Sequence, residues 1–291
     1  MENATVYWSQ NVLGLKKNTM SYSTQIMKLI PKKSLGQHFL NSKHVLDQII
    51  EASHIQKGEV ILEIGPGTGF LTSALLQTGA RVISVEKDDL AYDLLISKYS
   101  TEIKSGSLTL IHDDILNDSE TFNPQEPYLI VANIPYYITG AILEKFLERE
   151  NQPNRMILLI QKEVAERIVA RDGKESILSI SVKAFGQPKI IANVPRGAFT
   201  PPPSVDSAIL AIEDIGNKQF VEKNVEIKRF FEIVRAGFAH KRKYLKSNLE
   251  SVIPIQKLEE IWSKMGLNPK IRAEDITKDE WISVAKMTSL C

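Results

Sequence analysis

Val60-Ile61-Leu62-Glu63-Ile64-Gly65-Pro66-Gly67-Thr68-Gly69 is the stretch on which the fold turns. Its first five residues are mostly aliphatic and partly β-branched, the composition of a buried strand. The next five place glycine at every second position, which lets the backbone turn tightly and approach a ligand closely. Helical spacing then takes over from Phe70 to Gln77. A strand, a glycine turn and a helix in that order begin an α/β fold built on a parallel sheet.

The same alternation continues downstream. Arg81–Val85, Leu108–His112, Tyr128–Ala132 and Met156–Ile160 read as strands, and Leu90–Tyr99, Ile142–Leu147 and Lys162–Ala170 as helices. That order predicts a largely parallel sheet with helices on both faces. Ile190–Val194 and Ala208–Ile212, joined by a proline-rich turn without a helix, read as a closing antiparallel pair. Upstream, Val45, Leu46, Ile49 and Ile50 form one helix face, capped by Asn41 or Ser42. Around Glu213–Lys218 the pattern breaks, and everything beyond reads helical. Leu258, Ile261, Trp262 and Met265 recur at helical spacing before a Gly266 stop, and Thr277 with Glu280 forms a capping box. The expected organisation is an extension over 1–33, an α/β domain over 34–215 and a small helical domain over 216–291.

Composition limits the function. Aliphatic runs such as Met156–Ile160 are far too short to span a bilayer. One cysteine, Cys291, excludes an intrachain disulfide and fits a reducing compartment, so a cytoplasmic protein is expected. The five histidines show no ligand spacing, so no metal site is expected. Residues 1–33 carry five lysines, no arginine and one acid, which does not suit an organelle transit peptide. Charge is uneven: Gly216–Cys291 holds 15 basic against 10 acidic residues, whereas residues 1–215 hold 21 against 25. A basic end on a mildly acidic body suits a polyanion docking on one side.

The glycine spacing separates cofactor classes. A dinucleotide fingerprint is G-x-G-x-x-G, but here Gly65, Gly67 and Gly69 follow G-x-G-x-G. That tighter spacing suits S-adenosylmethionine better than a pyrophosphate. Glu86, 21 residues after Gly65, closes the second strand, where a carboxylate accepts from both ribose hydroxyls of an adenosine moiety. Asp114, or its neighbour Asp113, follows the third strand and can accept from the adenine amino group.

Asn133-Ile134-Pro135-Tyr136-Tyr137 follows the fourth strand. The Asn133 amide oxygen and the Ile134 carbonyl can accept the two hydrogens of a planar amino group while Tyr136 stacks on its ring. An aryl amine is a poor nucleophile because its lone pair is delocalised, and those two hydrogen bonds localise it. Alignment for in-line displacement supplies most of the rest, the Tyr136 ring face stabilises developing positive charge, and no strong base is needed. This pattern fits adenine, cytosine or a glutamine amide as acceptor. In Phe199-Thr200-Pro201-Pro202-Pro203-Ser204-Val205-Asp206-Ser207 the prolines hold an extended loop, with Phe199 either a second stacking surface for an extruded base or a core plug.

Four segments together resemble the small-subunit ribosomal RNA adenine-N6,N6-dimethyltransferase family: Leu35-Gly36-Gln37-His38-Phe39-Leu40, Glu63–Gly69, Asn133–Tyr136 and Phe199–Ser207. Phe238-Ala239-His240-Lys241-Arg242-Lys243 is similar to that family's basic segment at the start of its helical domain. The resemblance implies a Rossmann-like S-adenosylmethionine-dependent methyltransferase domain followed by a small helical one. It implies transfer of four methyl groups to two adjacent adenosines near the 3′ end of small-subunit rRNA during ribosome assembly. The expected partner is small-subunit rRNA, free or within the immature small subunit, and a monomer is the default state. Carried over by motif, His38, Leu40, Gly65, Gly67, Glu86, Asp114 and Asn133 would hold the cofactor. Asn133, Tyr136 and Phe199 would meet the base, and Lys241, Arg242, Lys243 and Lys246 would meet phosphates. His38 stands where many members have Asn. The alternatives are a large-subunit rRNA adenine methyltransferase of the antibiotic-resistance type, or a non-catalytic RNA-binding assembly factor on the same scaffold.

Overall fold

The computed structural model of the chain describes residues 36–117, 124 and 126–288. The expected extension over 1–33, Leu35 and Cys291 lie outside the described residues.

Seven strands form one sheet: β2 (Val60–Ile64), β3 (Arg81–Glu86), β4 (Leu108–His112), β5 (Tyr128–Asn133), β6 (Arg155–Gln161), β7 (Gln187–Val194) and β9 (Ser207–Glu213). Their order across the sheet is β4-β3-β2-β5-β6-β9-β7. The pairings from β4 through β6 are parallel, and β9 runs antiparallel to both β6 and β7. The closing antiparallel pair is thus present, with β9 inserted between β6 and β7. A short two-stranded sheet pairs β1 (Phe39–Leu40) with β8 (Phe199–Thr200), a feature the sequence pattern did not announce.

The central strands are continuous apolar runs because both their faces are covered. Val60, Leu62 and Ile64 belong to one buried cluster and Ile61 to the other; Met156, Leu158 and Ile160 alternate in the same way with Ile157 and Leu159. Helices α1 (Lys43–Ser53), α2 (Phe70–Gln77), α3 (Asp89–Lys98), α4 (Ser100–Ser105), α5 (Thr139–Leu147), α6 (Lys162–Val169) and α7 (Ile177–Lys183) accompany the sheet. Ser42 rather than Asn41 caps α1, accepting from the Val45 amide. The short helices α4 and α7 were not legible as separate elements.

Beyond β9 the described chain is helical: α8 (Lys218–Lys223), α9 (Ile227–Gly237), α10 (Leu245–Leu249), α11 (Ile255–Met265) and α12 (Lys278–Thr288). The change from sheet to helix falls between Glu213 and Lys218, and one apolar core runs across it. Phe185 after α7 packs on Phe220 at 5.5 Å and on Phe231 at 5.8 Å between ring centroids. Gly266 ends α11 with φ +61°, and Thr277 and Glu280 exchange the two bonds of a capping box.

The topology fixes where a ligand fits. Strands β2, β3 and β4 succeed one another in one direction, and β5 and β6 in the other, so the order reverses between β2 and β5. The crevice at the carboxyl ends of strands around such a reversal is the place an open α/β sheet offers a ligand.

Candidate active site

A cavity of about 220 Å³ opens at that reversal. Gly65 and Gly67 enter it from the β2 end, Glu86 from β3, Asp113 and Asp114 from the β4 end, and Asn133 to Tyr136 from β5. His38 lies along its wall. Six of the seven residues expected at the cofactor therefore come together. Leu40 does not line the cavity; it is 6% exposed in the core, paired with Phe199.

The glycine turn is held in shape from two sides. Gly67 has φ +55°, and a Cβ there would sit 2.9 Å from the Phe39 ring. Gly69 has φ +75°, and a Cβ there would meet Leu95 and Tyr99 at under 3 Å. The Tyr99 hydroxyl donates to the Gly69 carbonyl at 2.6 Å, and Lys98 Nζ donates to the Thr68 carbonyl at 2.9 Å. Gly65, in contrast, has nothing within 4 Å of its would-be Cβ, so its backbone faces open space.

Glu86 is 5% exposed. Its Oε2 accepts from the Gly67 amide at 2.9 Å and its Oε1 from the Asp88 amide at 2.8 Å. Burial raises its pKa, while those amides pull it back down. Each carboxylate oxygen still has capacity for another donor, which matches two ribose hydroxyls. Asp114 accepts from Lys87 Nζ at 2.7 Å through Oδ2 and from the Leu116 amide at 3.0 Å through Oδ1. Partial burial pushes its carboxyl up, but Lys87 and the Leu116 amide outweigh that and hold it below its ordinary value. Asp113 Oδ1 is engaged locally, by the Asp114 amide and Asn117 Nδ2. Lys87 is a wall residue that the sequence reading missed; a lone lysine after a strand carries no signal of its own.

On the acceptor side, Asn133 Nδ2 donates to the His38 carbonyl at 3.1 Å. That bond fixes which way the amide faces and leaves Oδ1 as the end available to an incoming amine. The Tyr136 hydroxyl shares a hydrogen bond with Ser207 Oγ at 2.7 Å, and its ring stacks on the His38 ring at 5.9 Å and 27°. Burial raises the Tyr136 pKa, so the side chain is a neutral phenol. His38 Nδ1 in turn lies 2.9 Å from the Pro201 carbonyl, and Asn41 Nδ2 donates to Thr200 Oγ1 at 2.6 Å. The segment over the cofactor side and the proline loop are thereby fastened into one unit. Phe199 sits inside that unit, 3% exposed in the hydrophobic core. As a core plug it is fully accounted for; as the second stacking surface it offers no open face in this conformation.

The basic segment is not at the start of the helical part, as the resemblance implied, but in the turn between α9 and α10. Lys241, Arg242 and Lys243 are exposed there, and among the described residues none has an ion-pair partner. Lys246 differs: it is half-buried and pairs with Glu259 at 3.7 Å.

Comparison with known proteins fits this geometry. The family model described as ribosomal RNA adenine dimethylase matches residues 30–289. The ribosomal RNA small subunit methyltransferase A of Dehalococcoides mccartyi is 40% identical over 254 residues, covering 86% of each chain. A solved dimethyladenosine transferase from Plasmodium falciparum superposes with a TM-score of 0.72 at 26% identity, over 85% of this chain and 96% of its own. A 23S rRNA methyltransferase, ErmE, gives 0.67 at 25% identity, over 86% and 99%. Fold alone therefore does not separate a dimethyladenosine transferase from a 23S rRNA methyltransferase, whereas sequence identity is higher with the small-subunit methyltransferase. The chain belongs to the ribosomal RNA adenine dimethylase family.

Proposed function

We propose that this protein dimethylates the N6 amino groups of two adjacent adenosines near the 3′ end of small-subunit rRNA, acting on immature small subunits in the cytoplasm as a monomer. The observation that carries the chemistry is the fixed Asn133 amide, its Nδ2 tied to the His38 carbonyl and its Oδ1 left to accept at the end of β5. S-adenosylmethionine supplies the methyl group. The residues present suit it: open space at Gly65, spare acceptor capacity on both oxygens of Glu86, and an ionised carboxylate at Asp114. Gly65, Gly67, Glu86 and Asp114 would hold it, with His38 and Asn133 at its acceptor end.

Asn133 Oδ1 and the Ile134 carbonyl take the two hydrogens of the adenine amine and localise its lone pair. Tyr136, a phenol held by Ser207, presents its ring to the base and stabilises positive charge as it develops. The methylated amine is a cation that loses its proton readily, so the proton passes to water and no strong base is needed. Phosphates of the rRNA meet Lys241, Arg242 and Lys243, with Lys246 available once released from Glu259.

The test is methyl transfer to isolated small and large ribosomal subunits that lack adenine dimethylation. Close to four labelled methyl groups per small subunit is the expected result. Label confined to the large subunit would transfer the protein to the antibiotic-resistance class, and cofactor binding without transfer would favour an assembly factor.

A further inference from the structure

A second cleft, of about 400 Å³, lies between the loop before α7 and the α9–α10 turn and shares no residue with the cavity described above. Its exposed side carries Lys241, Lys243, Arg272 and Arg167, four cations against the one carboxylate of Glu274 beside them. Its inner wall is different in kind. Asn248 is 5% exposed, and its Nδ2 donates to the Gly237 carbonyl at 2.6 Å and the His240 carbonyl at 3.1 Å. Those bonds fix the amide so that Oδ1, buried, has no partner within the protein. Glu175 repeats the pattern: Oε1 accepts from Lys183 at 2.6 Å, and the buried Oε2 has no partner.

Two unused acceptors beneath a cationic rim define a ligand. It must bring N–H donors inward and negative charge outward. Inorganic phosphate fails the first requirement and is repelled by Glu175; a basic peptide fails the second. A nucleotide meets both, with its phosphate at the rim and its base edge at the floor. Guanine suits the floor best, because its N1–H and N2–H₂ present donors side by side, whereas uracil offers one. Half-buried Phe238, stacked on Trp281 at 5.7 Å, adds an apolar wall. We propose that this cleft seats one unpaired guanosine nucleotide of the RNA substrate, base inward. That the nucleotide belongs to rRNA rests on the function proposed above; the seat itself rests on the geometry.

The experiment is an amide NMR titration of the full chain with guanosine monophosphate, uridine monophosphate and inorganic phosphate, run beside the methyl-transfer assay. Saturable shifts at Ser176, Phe238 and Asn248 with the guanine nucleotide, at least roughly tenfold weaker with the uridine nucleotide, are expected. Glu175→Ala should abolish the base preference, and Arg272→Ala should weaken both nucleotides alike. Each variant should raise the KM for small subunits while leaving kcat unchanged. Equal shifts with inorganic phosphate, or none at the cleft, would overturn the seat. Methyl transfer with a silent cleft would reject the seat alone, and a responding cleft without methyl transfer would reject the rRNA reading alone.

Discussion

Asn133 contributes through one hydrogen bond it already makes and another it is left free to make. In the proposed mechanism Asn133→Ala removes the acceptor for the reacting amine, along with the observed tie to His38. Turnover should fall by about 10²–10³, the usual scale for deleting one preorganised polar contact to a reacting group. Thermal unfolding should stay near that of the native chain, since Asn133 is only half-buried. Glu86→Ala should raise the cofactor Kd on the order of 10²-fold, from losing two charge-assisted bonds, with a smaller effect on kcat; calorimetry reads this directly. Glu63 makes a pH prediction. It is fully buried, its Oε2 accepting from Thr72 and Ser84, and burial raises its pKa to about 7 from 4.5. The folded chain thus holds the proton more tightly than the unfolded one. Stability should be full below about pH 4.5 and fall as pH rises through 7, by on the order of 3 kcal/mol. Glu63→Gln should flatten that fall in urea midpoints measured across pH; an unchanged slope would assign the pH dependence elsewhere.

At the scale of elements, the parallel strands and the glycine turn were legible because their signals are local. Val60–Ile64 and Phe70–Gln77 were bounded correctly from composition and spacing alone. What escaped was set by distant partners. The β1–β8 pair joins residues about 160 apart, and nothing in Phe39-Leu40 reads as a strand until Phe199-Thr200 lies beside it. Phe199 is the clearest instance: its neighbours in sequence suggest an exposed loop, but Leu40 and the core cover it. Lys87, Ser207 and the His38 carbonyl likewise act only once the sheet brings them to Asp114, Tyr136 and Asn133. In the helical part, α9 and α12 approach closely enough that a Cβ on Gly237 would lie 2.2 Å from the Trp281 ring. Gly237→Ala should therefore destabilise the chain by about 1–3 kcal/mol, the cost of overpacking a core. Chemical denaturation checks it, and a neutral result would mean the two helices can shift apart freely.

The whole molecule sets its candidate site at the sheet reversal and three exposed cations, none with an ion-pair partner among the described residues, at the α9–α10 turn, with a shared aromatic core between sheet and helices. Charge counting had already located the basic end; it did not reveal that Lys246 is drawn into an ion pair while Lys241, Arg242 and Lys243 are not. Neutralising those three should weaken rRNA binding and reduce the slope of log affinity against log salt by about 2–3, at roughly 0.7–0.9 per phosphate contact. An unaltered slope would make the segment an ordinary solvated turn. The central claim is that the cavity between β2 and β5 methylates adenine N6 in small-subunit rRNA through Asn133. Its most direct test is nucleoside mass spectrometry of small subunits after reaction with the native chain and with Asn133→Ala. The account predicts N6,N6-dimethyladenosine at two adjacent positions with the native chain and almost none with the variant. Equal dimethylation by both would contradict the role of Asn133, and a different modified nucleoside from the native chain would contradict the reaction itself.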